Sequence, residues 1–133
     1  MPDVVTCVLL HDGKILLLKR SDKVGTYRGK WACVSGYVEE GDKIEDRAFR
    51  EIEEETGLSR DNLKLEKTGQ PVGFFDEAEK KSWRVHPFLF TSDTGDVKID
   101  WEHIEYRWIE PSEIGNYDTV PKLKEVVKSL ISR

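Results

Sequence analysis

The chain has 133 residues, 38% of them apolar and 35% charged, with a formal net charge of −5. That is enough chain to bury a core, and the composition is that of a soluble globular protein, expected to be a single domain over 1–133. Three things are missing: an apolar run near the roughly 20 residues of a membrane helix, a basic N-terminal segment of the signal-peptide kind, and a Lys/Arg block that could track a nucleic-acid backbone. A cytoplasmic protein is expected, with neither a membrane nor polymeric nucleic acid as partner.

Val4–Leu10 and Lys14–Lys19 are apolar, β-branched-rich runs separated by His11-Asp12-Gly13, and Asp-Gly between such runs predicts a hairpin. Ser21–Lys30 is polar and reads as a loop. Trp31–Val34 is a short strand ending at Ser35-Gly36. The next helix spans Lys43–Thr56 and stops at Gly57, a residue suited to a left-handed cap. Leu63–Phe75 and Trp83–Phe90 read as strands joined by the charged turn Asp76–Lys81. A loop over Thr91–Asp100 leads to a strand, Ile104–Ile109, and Pro111–Ile114 begins a helical turn. Val120–Ile131 is an amphipathic helix, with Leu123, Val126, Val127 and Leu130 at i, i+3, i+4 and i+7. Cys7 and Cys33 fall in strand-like apolar runs and are expected to be buried, reduced thiols. The pattern is a mixed α/β domain with a sheet and two helices.

The negative charge is concentrated. Residues 39–55 hold nine acids against three bases, a net −6, so the rest of the chain is close to neutral. Within that segment Glu51, Glu54 and Glu55 sit at i, i+3 and i+4 and project from neighbouring turns of one helix face. A charged helix face alone is compatible with simple solvation. Here Ile44, Ala48 and Ile52 give the helix a buried stripe that orients its acidic side. The glycine-containing loop Gly36–Gly41 before it allows close backbone approach to a ligand. Carboxylates placed side by side repel, and a hard divalent cation such as Mg²⁺, which takes oxygen ligands and shares them with substrate phosphates, offsets that repulsion. The chemistry indicated is a metal-dependent reaction at phosphorus.

Residues 36–58, GYVEEGDKIEDRAFREIEEETGL, resemble the Nudix box of the MutT-like Nudix hydrolases, G-x5-E-x7-R-E-U-x-E-E-x-G-U, where U is a bulky aliphatic residue. Gly36, Arg50, Glu51, Ile52, Glu54, Glu55, Gly57 and Leu58 match in register, and the first Glu of the pattern is Asp42 here. The resemblance implies an α/β/α sandwich with a mixed sheet. It also implies Mg²⁺, with Mn²⁺ as a substitute, held by Glu51, Glu54, Glu55 and the Gly36 carbonyl, with Arg50 orienting Glu51. The family hydrolyses nucleoside diphosphates linked to a variable group, so the implied partner is a small-molecule nucleotide. A nucleoside triphosphate is the first choice; ADP-ribose, a nucleotide sugar or a dinucleoside polyphosphate is the alternative, and a nucleotide-sensing domain without catalysis the third. Many members are homodimers, though no segment here identifies an interface.

The segment Trp101–Trp108 contains E-H-x-x-Y-x-W, which resembles the stretch before the last strand in family members acting on nucleoside triphosphates and dinucleoside polyphosphates. It implies Glu102 as a catalytic base or extra metal ligand, with Glu105 as the substitute; an exposed strand-edge Glu is the competing reading. His103 reads as a structural residue. Arg20, Arg28 and Lys30 flank the loop expected to face the site and are candidate phosphate contacts, or simply solvated loop bases. Trp31 and Trp108 are expected in the core. Phe74, Trp83, Phe75 and Tyr27 are candidates for a wall against the base, each also explicable as packing.

Overall fold

The computed structural model describes residues 1–131. Strands β1 (Asp3–His11) and β2 (Lys14–Arg20) form the expected hairpin. Asp12 and Gly13 take φ of 51° and 77°, the pair of positive angles that a two-residue turn needs to match the strand twist. The two strands are paired only beside the turn, at Leu10↔Ile15 and His11↔Lys14. Beyond it they part. One edge of β1 is occupied along its length by β7 (Lys81–Ser92), in parallel from Asp3↔Arg84 to Leu10↔Thr91. The other edge is taken over by β4 (Val34–Tyr37), antiparallel from Cys7↔Val34 to Val4↔Tyr37. Meanwhile β3 (Trp31–Ala32) stays on β2, so residues 31–37 cross the fork from one strand to the other.

The outer strands complete a mixed sheet. On its other side β2 pairs with β8 (His103–Ile109), antiparallel. The far edge of β7 is shared by β5 (Leu63–Thr68) and β6 (Val72–Asp76). The single strand expected over Leu63–Phe75 is thus two, interrupted at Gly69-Gln70-Pro71, because a proline has no N–H to give to the ladder. Other boundaries move as well, two of them with a clear consequence or cause. The strand expected to end at Ser35-Gly36 runs through Gly36 to Tyr37. The C-terminal helix begins at Leu123 rather than Val120, since Val120 precedes Pro121 and Lys122 has a φ of 71°, neither compatible with a helical turn.

Side chains alternate between the sheet's two faces, and each face has its helix. Helix α1 (Ile44–Thr56) lays Ala48 and Ile52 against Val5, Cys7, Leu9, Leu16, Leu18, Phe88 and Phe90. It ends at Gly57, whose φ of 77° and N–H to the Glu53 carbonyl make the expected left-handed cap. Helix α2 (Leu123–Ile131) lays Leu123, Val126, Val127 and Leu130 against Val8, Ile15, Leu17, Trp31 and Leu89. The result is an α/β/α sandwich. Cys7 and Cys33 are buried and unbridged, and Trp31 and Trp108 pack on the two cores as expected. Among the described residues no helix is long and apolar enough to cross a membrane.

The helix on the second face is too short to cover it. Thr6, Ser35, Trp83 and Val85 share a face with Val8, Cys33 and Leu89 but lie beyond the start of α2, and they form the floor of an open cavity. On the first face, Ile52 is fully buried and ties the acidic helix to that sheet. Ile52→Ala is expected to cost about 2–5 kcal/mol. Urea unfolding should show a lower midpoint with the slope unchanged.

Candidate active site

The cavity has a volume of about 530 Å³. Gly36, Glu51 and Glu54 line it from the acidic-helix side, Glu102 from the segment before β8, and Phe74, Trp83 and Val85 from the β6–β7 hairpin. Four residues from three separate parts of the chain are thereby brought together as the sequence predicts: Gly36, Glu51, Glu54 and Glu102.

Glu51 is almost fully buried and lies flat on β4. A Cβ on Gly36 would fall 2.2 Å from the Glu51 Cδ and 2.5 Å from its Oε1, so only glycine leaves room for this carboxylate. Its other neighbour is Arg47, one turn earlier, whose Nη1 donates to Glu51 Oε1 at 3.2 Å. Arg47 also donates from Nε to Asp42 Oδ2 at 2.7 Å and lies 3.5 Å from Glu39. Asp42 Oδ2 accepts from the Glu39 N–H as well, at 2.8 Å. The expected partner of Glu51, Arg50, is exposed and has no such bond. Consecutive residues point to different sides of a helix, whereas i and i+4 share one, so the orienting cation is corrected from Arg50 to Arg47.

Glu55 is deeper still, at 2% exposure, and its Oε2 has no hydrogen-bond partner. Its Oε1 lies 3.9 Å from Nε2 of His103, which is also buried, and His103 Nδ1 lies 3.3 Å from Asp100 Oδ1. Ligand atoms of Glu55, Glu102 and His103 all fall within 4.8 Å of one another. A histidine with one nitrogen on a carboxylate and the other facing donors is arranged as metal-site histidines are.

Burial and mutual repulsion act together on these acids. Burial, then the charges of Glu102 and Glu51, push the Glu55 carboxyl well above its ordinary range. Glu51 is raised by burial and by Glu54, although a hydrogen bond with Glu55 and the Arg47 guanidinium oppose the shift. Glu102 is raised by burial, Asp100 and Glu51. Burial pushes His103 downward. An orphaned buried carboxylate oxygen on Glu55, with Glu102 and His103 close by and Glu51 on the same helix face, forms a donor set that fits a divalent metal ion.

The candidate substrate residues divide. Arg20 lines the cavity, steadied by its Nε on the Thr26 carbonyl at 3.0 Å. Arg28 and Lys30 do not line it: Arg28 donates to the Val24 carbonyl within its own loop, and Lys30 pairs with Asp118 at 3.0 Å. Lys23 and Lys81 line it instead, positions that no sequence pattern distinguished from other surface lysines. Phe74, Trp83 and Tyr27 stand together on the wall, with ring centroids 5.6 Å apart for Phe74–Trp83 and 6.1 Å for Tyr27–Trp83. The Tyr27 hydroxyl donates to Asp76, joining the loop to the hairpin. Phe75 points away and is exposed. Trp101, 62% exposed, lines the cavity beside Glu102 and was not singled out in the sequence, being hidden next to the stronger E-H-x-x-Y-x-W signal.

Comparison with known proteins agrees with this architecture. The model of the NUDIX domain matches residues 1–130, and the chain belongs to that family, as a hydrolase acting on acid anhydrides. It is similar to nucleoside triphosphatase NudI of Escherichia fergusonii, 33% identical over 125 residues and 86% of each chain. The MutT protein of Methanosarcina mazei Go1 superposes with a TM-score of 0.76 at 28% identity, over 96% of this chain and 91% of that one. The dihydroneopterin triphosphate pyrophosphohydrolase of E. coli superposes at 0.83 with 18% identity, over 97% and 94%, and speaks for the fold alone.

The raised proton affinity of Glu55 has a measurable sign. The native chain holds a proton there that the unfolded chain has released, so between the ordinary carboxylate range and the raised value stability falls as pH rises. Glu55→Gln removes that titration. In chelator the variant is expected to melt several degrees above wild type near pH 8 and to lose that advantage toward about pH 5. A variant that melts below wild type near pH 8 contradicts the expectation.

Proposed function

We propose that the protein is a Mg²⁺-dependent pyrophosphohydrolase, with Mn²⁺ as a substitute, that cleaves a phosphoanhydride bond of a nucleoside triphosphate. The observation that carries the reading is the convergence of Glu51, Glu54 and Glu102 on one cavity, with the buried Glu55 beside Glu102, where Arg20, Lys23 and Lys81 also line the walls. The likeness to a nucleoside triphosphatase over most of the chain supports the choice of substrate class.

Glu51, Glu54 and Glu55, with the Gly36 carbonyl, would hold the metal, and Glu102 and His103 stand beside Glu55 as further donors. When bound, the ion neutralises phosphate oxygens, acidifies a water and steadies the leaving oxygen. The chain's own residues do the rest. Arg20, Lys23 and Lys81 line the same cavity and bind the phosphates. Glu102 lines the cavity half-buried, with a proton affinity raised by that burial, which suits it to take the proton of the attacking water. Glu51, which lines the same cavity, is the alternative base. Phe74 and Trp83, with Tyr27 beside them, offer flat apolar surface to the base. A cytoplasmic site of action fits such a substrate.

Glu54 is exposed to the cavity and buries nothing, so its removal tests the chemistry and spares the fold. Glu54→Gln is expected to abolish Mg²⁺-dependent turnover, by at least about a hundredfold, with an unchanged melting temperature. Near-wild-type hydrolysis would refute the metal assignment. Products are followed over a nucleotide panel with Mg²⁺, with and without added pyrophosphatase. Phosphate that appears only with pyrophosphatase supports the triphosphate reading. Turnover confined to ADP-ribose, nucleotide sugars or dinucleoside polyphosphates replaces it, and binding without turnover marks a sensor. Phe74→Ala is expected to raise KM for the preferred nucleotide about tenfold with kcat kept within about twofold, through loss of one stacking contact.

A further inference from the structure

We propose that Arg47 and Asp42 form one positioning unit that fixes Glu51 for the reaction, and that the short side chain at position 42 is matched to the long one at position 47. The inference rests on the reading of the cavity as a metal-dependent active site. It assigns a role to two residues outside the ligand set.

Arg47 is 7% exposed, and a guanidinium is kept that deep only where its donors are matched. They are matched unequally. The closest partner is Asp42 at 2.7 Å, then Glu51 at 3.2 Å, then Glu39 at 3.5 Å. Asp42 belongs to the loop between β4 and α1, and its Oδ2 also takes the Glu39 N–H. The guanidinium therefore ties a loop that has no helical hydrogen bonds of its own to the second turn of α1, and hands a fixed donor to Glu51. The helix start needs such a tie, because its N-cap, Lys43, offers no side-chain bond to the first turn.

Glu51 consequently sits in a slot with two walls. Gly36 is the floor, where a single methyl group would displace the carboxylate, and Arg47 is the side. The remaining neighbours on that helix face, Glu54 and Glu55 at i+3 and i+4, are acids and offer no cation. Without Arg47 the carboxylate loses its guanidinium partner, and rotamers that swing it toward solvent become favoured. Geometry at Asp42 supports the matching. Its carboxylate reaches both the Glu39 N–H and the Arg47 Nε through one oxygen, at 2.8 and 2.7 Å. A side chain longer by a methylene would have to fold back to do the same, because the guanidinium already extends to the loop.

Mn²⁺ titration by electron paramagnetic resonance, alongside steady-state kinetics, separates this role from a merely structural one. Arg47→Ala is expected to weaken Mn²⁺ binding by about 10–100-fold and to lower kcat by a similar factor, with KM for the nucleotide within about twofold. Arg47→Lys keeps the charge but not the fork, and is expected to regain less than half of the lost affinity on a logarithmic scale. Asp42→Asn, which touches neither the ligands nor the core, is expected to weaken Mn²⁺ binding several-fold. It carries the test if Arg47→Ala does not fold. A folded Arg47→Ala with wild-type Mn²⁺ affinity overturns the assignment, as does an unaffected Asp42→Asn. A wild-type protein that neither binds Mn²⁺ nor turns over nucleotides refutes the catalytic reading itself, a distinct outcome.

Discussion

Carboxylates gathered in a part of the molecule that water barely reaches are the constraint on which the rest of the structure turns. Glu55 at 2% exposure, Glu51 at 9% and the half-buried Glu102 all have a proton affinity raised first by burial, and neighbouring acids add to it at each. A cluster of this kind is a liability for stability in isolation, since each charge removed from water costs more than its neighbours return. It persists because its supports are rigid. The helix that carries two of these acids is anchored on the sheet by Ala48 and Ile52, the third is delivered at the entry to β8, and the backbone N–H of Ser21 holds the Glu102 carbonyl at 2.7 Å. A destabilised site on a stabilised frame is the expected arrangement for a protein whose ligand cation supplies the missing charge.

The fork between β1 and β2 makes that arrangement reachable. Had the hairpin continued along its full length, β2 would have filled the edge of β1 that β4 occupies, and Gly36 would not lie beneath Glu51. The crossing of residues 31–37 from β2 to β1 thus does two things at once. It closes the sheet, and it brings a backbone without a side chain against the acidic helix. The strand therefore runs on through Ser35-Gly36, where composition alone suggested a stop.

Most of the fold was legible because its signals are periodic and local. The Asp12-Gly13 turn, the stripe of α1 ending at Gly57 and the i, i+3, i+4, i+7 face of α2 each follow from a few neighbouring residues. The acidic cluster was legible for the same reason, since a motif in one helix preserves its spacing in space. What was not legible depended on partners distant in sequence. Arg28 and Lys30 looked equivalent to Arg20 until Val24 and Asp118 claimed them. Arg50 adjoins Glu51 in the chain and is remote from it on the helix, while Arg47 is remote in the chain and adjacent in space. His103 reads as a core residue, and it is buried; only the arrival of Glu55 from α1 gives its second nitrogen a partner of catalytic interest.

The same distinction explains why the bond to be broken is better defined than the molecule that carries it. The proposed chemistry rests on α1 and the entry to β8, elements whose positions are set by core packing. The opposite wall is made of Tyr27, Phe74, Trp83, Lys23 and Lys81, drawn from a polar loop and a short hairpin that contribute little to either core. Those two segments are joined across the cavity by the Tyr27–Asp76 bond and by the packing of Tyr27 on Trp83. Tyr27 adopts a φ of 51° to make it, a conformation that disfavours a bulky side chain and is held by its partners. The proposed function thus puts substrate selection on parts of the chain that can vary without disturbing the sandwich, and the hydrolytic centre on parts that cannot.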